Sequence, residues 1–186
     1  MGMNPVQWAV KPYLDMVCSV TSDSDAIALA KYITMAPGGQ AALHLDAYLA
    51  GTGIPMWVDL DRVLRTDQGV REEILRGIIA ARKEKRTSGT IPIPQHVYAN
   101  LDWQFAIGGM NIDWRAIPNT NKVFLSFKNK YRWHPNEQRV SQCIHRAAEN
   151  MKMRGAKDYM MSGETTIVVT ETDVAGRTWG FIKNRM

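Results

Sequence analysis

The stretch WQFAIGGMNIDWRAIPNTNKVFLSFKNKYRW, residues 103–133, sets the architecture, because it holds the most regular period-two alternation in the chain. Its second part, 122–133, places Val123, Leu125, Phe127, Asn129, Tyr131 and Trp133 on one face and Lys128, Lys130 and Arg132 on the other. Side chains of a strand point to alternate sides, so this pattern predicts a half-buried strand with a cationic outer face. Its first part, 103–117, alternates Trp103, Phe105 and Ile107, then Met110, Ile112 and Trp114. The Gly108-Gly109 pair shifts the inward set by one, so a strand bent by a β-bulge is expected there. PNTN (118–121) is the turn, and the two strands form an antiparallel hairpin.

Toward the N-terminus the period changes from two to that of a helix. SDAIALAKYITM (24–35) offers Ser24 as a cap, and GGQAALHLDAYLAGTG (38–53) reads as a helix closed by Gly51 and Gly53. Ala41, Ala42, Leu43, Ala47, Tyr48 and Leu49 are its candidates for a core. PMWVDL (55–60) reads as a short strand. TDQGVREEILRGIIAARKEKR (66–86) is the longest expected helix, with Val70, Ile74, Leu75, Ile78 and Ile79 on its buried face. Pro92 and Pro94 bar a helix from TSGTIPIPQ (87–95), which is therefore a linker or an edge strand.

Toward the C-terminus the chain runs through Tyr131, Arg132, Trp133, His134 and Pro135 into an amphipathic helix. Val140, Cys143, Ile144, Ala147 and Met151 are its buried stripe and Gly155 its end. ETTIVVTET (164–172) and GRTWGFIKN (176–184) are the closing strands. The order gives an α+β fold: N-terminal helices, then a small, mostly antiparallel β-sheet with one inserted helix. Residues 1–54 form the helical segment and 55–186 the α+β domain, packed as one unit.

The 186 residues suffice for a core without disulfides or metals. Lys and Arg total 23 against 18 for Asp and Glu, a net charge of +5 that favours anionic partners without choosing among nucleic acid, phospholipid and pyrophosphate. Cys18 and Cys143 read as buried thiols or one bridge, too few for a disulfide framework or a zinc site. No apolar run is long enough to span a membrane and no export leader is evident, so any action outside the producing cell's cytoplasm requires delivery by something else.

His145 and Glu149 lie four apart on one helical face, where a carboxylate can orient an imidazole as a general base; the same spacing also serves an ordinary surface pair. His44 and Asp46 are two apart on their helix and so point in different directions. Cys143 falls on a buried stripe, and Ser126 and Ser162 lack a nucleophile elbow. Lys128, Lys130 and Arg132 form a stripe suited to phosphates, with Phe124 and Trp133 available to stack on a base; alternatively they only solvate the outer face. The spacing of His145 and Glu149 is not the two-histidine zinc-protease pattern, so metal binding has little support, and the residues do not identify a cofactor.

The sequence of pieces, ALHLDAYLAGTG (42–53), a short strand, a long helix, AIGGMNI (106–112) and a strand entering a Tyr-centred turn, resembles the activity domain of colicin M and related M-type bacteriocins over roughly 40–170. The resemblance implies a half-barrel-like sheet, hydrolysis of a lipid-linked peptidoglycan precursor in the target periplasm, and a cognate immunity protein. Laid on NKYRWHPNEQR (129–139), the family's catalytic run matches Tyr131 and Arg139. Asn129, Arg132 and Gln138 stand where it has two aspartates and a histidine, so His134 or His145 would supply the imidazole and Glu137 or Glu149 the carboxylate.

The expectation is a delivered antibacterial toxin or effector domain, with Tyr131, His134, Arg139, His145 and Glu149 as catalytic candidates. Lys128, Lys130 and Arg132 would bind an anionic substrate or lipid-linked precursor. The alternatives are a nucleic-acid-binding or nuclease domain using the same cations, and a non-catalytic binding or structural module.

Overall fold

The structure, a computed structural model, describes residues 39–131, 152, 153 and 155–170. In chain order its elements are α1 (Gln40–Leu49), β1 (Met56–Trp57), α2 (Leu60–Thr66), α3 (Gln68–Lys83), β2 (Ser88–Ile93), α4 (Leu101–Ile107), β3 (Met110–Ala116), β4 (Lys122–Tyr131) and β5 (Tyr159–Val168), with a 3₁₀ turn at Gln95–Val97. The fold is α+β, and the strands make one open, mixed sheet in the order β1-β5-β4-β3-β2. The helix expected after Pro135, the closing strand at 176–184, the helix at 24–35 and both cysteines lie outside the described residues.

The hairpin forms as the alternation requires. Trp114 pairs with Leu125 and Ala116 with Val123, and Val123, Leu125 and Phe127 are buried while Lys122 and Lys128 are exposed. β2 pairs antiparallel with β3 from Ser88↔Arg115 to Ile93↔Met110 and stands at the sheet's edge, where Pro92 is tolerated. β5 begins at Tyr159, five residues earlier than the β-branched run ETTIVV suggests.

One correction concerns 103–117. Residues 101–107 are helix α4, and the strand begins only at Met110. Trp103, Ala106 and Ile107 share the buried side at helical spacing, whereas strand alternation would have buried Phe105, which is exposed. The glycines are not a bulge: Gly108 takes φ +71 and its N–H bonds the Gln104 carbonyl, which ends the helix. A second correction shortens the strand expected at 55–60 to Met56–Trp57, because Asp59 accepts a hydrogen bond from the Arg62 N–H at 2.9 Å and caps α2.

The described residues fall into two units by contact. One unit contains 39–56, 101–108, 130–131, 152–153 and 155–160. In it α4 packs against α1, and the carboxylate of Asp102 accepts the Gln40 and Ala41 N–H groups at 2.9 and 2.8 Å. α1 has no side-chain cap of its own, so its orphan amide donors are satisfied from another helix. Its buried face is Ala41, His44, Leu45 and Tyr48; Leu43, expected in the core, is about half exposed.

The other unit contains 57–100, 109–129 and 161–170 of the described residues. α3 buries Val70, Ile74, Leu75, Ile78 and Ala81 and packs against β2. Asp67, fully buried, is the hub: its carboxylate accepts from Val70, Ala99 and Asn100 N–H groups at 3.0, 3.1 and 3.0 Å. It thereby caps α3 and fixes the turn after Tyr98 with one side chain.

Candidate functional site

Within the first unit, three elements bring aromatic and titratable side chains together. β4 ends on Tyr131, whose inward position follows from the alternation along the strand; α1 contributes His44 and Tyr48, one helical turn apart; β5 opens on Tyr159. All four are buried. The Tyr131 and Tyr159 rings stack at 5.0 Å between centroids, Tyr48 meets Tyr131 edge-on at 5.9 Å, and His44 lies 5.6 Å from Tyr131. Such offset and edge-on pairs add to the stabilisation from burial.

The polar atoms of the cluster are arranged around Tyr159. Its hydroxyl donates to the His44 carbonyl at 3.0 Å and lies 2.7 Å from His44 Nδ1. With its single proton committed to the carbonyl, the hydroxyl accepts from Nδ1–H, which leaves Nε2 unprotonated in the neutral ring. Burial disfavours the imidazolium and takes His44 from 6.5 down to about 4, against the opposing pull of the Asp102 charge. Burial also raises the Tyr159 phenol well above its ordinary range, the neighbouring Tyr131 adding to it. His44 is thus neutral at physiological pH and inaccessible to a substrate in solvent; it holds α1 to the start of β5.

The accessible chemistry lies beside the cluster. Asp158 receives Lys130 Nζ at 3.3 Å and Lys152 Nζ at 3.4 Å. Desolvation and the Asp158 charge raise the Tyr48 phenol to about 12, and its buried hydroxyl has no hydrogen-bond partner among the described residues. Among the described residues no group of three or more His, Cys, Asp or Glu side chains could hold a metal, and no helix is long and apolar enough to cross a membrane.

Of the residues singled out from sequence, Tyr131 is buried in the ring cluster, Lys128 is exposed on β4, and Lys130 is exposed but ion-paired. Arg132, His134, Arg139, His145 and Glu149 lie outside the described residues. Sequence reasoning weighed His44 only with Asp46 and took Tyr48 for the core, where it lies, and it missed Tyr159 and Asp158. The i, i+4 spacing of His44 and Tyr48 was a visible signal on a predicted helix, but their partners at 158–159 are more than a hundred residues away.

Against known proteins, no family model matches the sequence, and neither a curated protein nor a solved structure matches it.

Proposed function

We propose that this chain is an antibacterial effector domain that acts on an anionic, pyrophosphate-bearing lipid-linked precursor of peptidoglycan in the periplasm of a competing cell. The observation that carries this reading is the end of β4. There Lys128 and Lys130 face outward while Tyr131 is locked between His44, Tyr48 and Tyr159, so cations are presented beside a rigid corner. Rigid placement of cations is what binding and cleaving a phosphate linkage requires, since the transition state gains charge on oxygen. The resemblance in the order of pieces supplies the substrate class, and the open α+β sheet supports it.

In this reading Lys128, Lys130 and Arg132 hold the phosphate oxygens. His134, Arg139, His145 and Glu149 are the candidates for moving a proton and steadying the leaving group. The producing cell carries an immunity protein. The test is growth of bacteria expressing the chain with and without a periplasmic export signal, with precursor cleavage followed by mass spectrometry. Killing from the periplasm only, with loss of intact precursor, is the expected result; a folded, exported chain that neither kills nor consumes the precursor overturns the proposal.

A second reading is favoured by one specific contact. The Arg115 guanidinium lies over the Phe124 ring at 5.8 Å, and Lys122 and Lys128 share the Phe124 face of β4. Cations around an aromatic ring suit a single-stranded nucleic acid. This reading requires killing from the cytoplasm and binding that weakens steeply with salt.

A further inference from the structure

Two turns of the first unit meet where α1 ends and β5 begins. Gly51 and Gly53 take φ +65 and +67 and Gly155 takes φ +107, the region that glycine enters without strain. The turns pack so closely that a Cβ on Gly51 would run into the Gly155 carbonyl, and one on Gly53 would touch the Lys157 side chain. The Lys157 N–H donates to the Tyr48 carbonyl at 3.2 Å, and Lys152 pairs with Asp158 at 3.4 Å. Residues 51–54 and 152–160 thus make one continuous piece of surface, held by backbone contacts. That surface carries Ile54, Met153 and Met160, exposed at 66%, 80% and 45%.

Cations are set among these apolar tips. The sequence MKMRGAKDYM, 151–160, holds three cations and three methionines against one carboxylate. That carboxylate, Asp158, is already paired with Lys130 and Lys152, and Lys157 is exposed beside it. A single exposed apolar residue is ordinary on a protein surface, but three gathered with lysines between them mark a contact surface. Side chains this exposed project instead of lining a groove. A protein partner needs a closely packed, complementary interface, whereas a fluid headgroup layer accepts projecting apolar chains as they stand. Anionic headgroups attract the lysines, whose stems stay among the apolar chains. We propose that Ile54, Lys152, Met153, Lys157 and Met160 form a docking surface for an anionic phospholipid membrane, the apolar tips entering the interface and the lysines meeting the headgroups. The proposal does not depend on the reaction the chain performs, and its test contains no peptidoglycan precursor.

The experiment is cosedimentation of the full chain, at constant ionic strength, with vesicles of phosphatidylcholine alone and of equal parts phosphatidylcholine and phosphatidylglycerol. Binding to the anionic vesicles is expected to be at least about tenfold stronger. Lys157→Gln is expected to weaken it about fivefold, the effect of one lysine at such a surface. Lys122→Gln makes the same charge change in the other unit and is expected to alter binding by less than about twofold. Ile54→Ser combined with Met153→Ser keeps every charge and is expected to weaken binding about tenfold. All four side chains are exposed, and thermal melts check that the variants fold. If the double variant does not, the comparison of Lys157→Gln with Lys122→Gln decides. No retention on the anionic vesicles overturns the proposal in favour of a protein partner. Lys157→Gln binding no more weakly than Lys122→Gln overturns it in favour of attraction by net charge. Equal retention on both vesicle types, or retention unchanged in the folded double variant, overturns it as well.

Discussion

Acidification should destabilise this protein through His44. Its folded value near 4 lies below its ordinary 6.5, because burial excludes the charged ring. As pH falls the unfolded chain takes up the proton first. The stability contributed by a neutral His44 is therefore complete above about pH 6.5, drains as pH falls and is fully lost below about pH 4. Integrating the two titrations gives a loss of about 2 kcal/mol between pH 7 and pH 5, and roughly 3 kcal/mol by the end of the transition. The assay is urea unfolding followed by tryptophan fluorescence across this range, comparing the natural chain with His44→Asn, which keeps a donor near Nδ1 but does not titrate. The difference between the two should shrink by about 2 kcal/mol on going from pH 7 to pH 5. A difference independent of pH, or one that grows on acidification, would refute the assignment of a buried neutral imidazole.

Other perturbations test separate contacts. Asp67→Ala leaves three N–H groups without their carboxylate and should lower stability by about 3 kcal/mol or more in a denaturant melt, with Asp67→Asn intermediate. Tyr159→Phe removes both hydrogen bonds to His44 but preserves the stack on Tyr131, so a loss of about 1–2 kcal/mol is expected from the same assay. Gly69→Ala should gain about 1 kcal/mol of helix propensity yet destabilise the protein, because the new Cβ would run into the Val97 carbonyl; a raised melting temperature would contradict that packing. In the export-dependent killing assay, Tyr131→Phe should kill as well as the natural chain if the tyrosine acts by ring packing, and its loss of killing would assign the hydroxyl a direct part.

What was legible in the sequence is what local periodicity encodes. The β3–β4 hairpin and the buried face of α3 follow from spacing alone, since alternation or a 3.6-residue stripe survives in any context that buries one face, whereas Pro92 and Pro94 left β2 open between a linker and an edge strand. The same device misread 103–107, where Trp103, Phe105 and Ile107 alternate like a strand in a segment too short for its period to decide. The tertiary structure decides it through Asp102, which caps α1 from the first turn of α4 while Trp103, Ala106 and Ile107 turn inward. The candidate site divides along the same line. Tyr131 and the outward lysines were readable from strand parity. The partnership of His44 with Tyr159, and of Lys130 with Asp158, joins residues far apart in the chain whose identities carry no mark of one another. Hydrogen bonding and desolvation act through space, so only the fold assigns those partners.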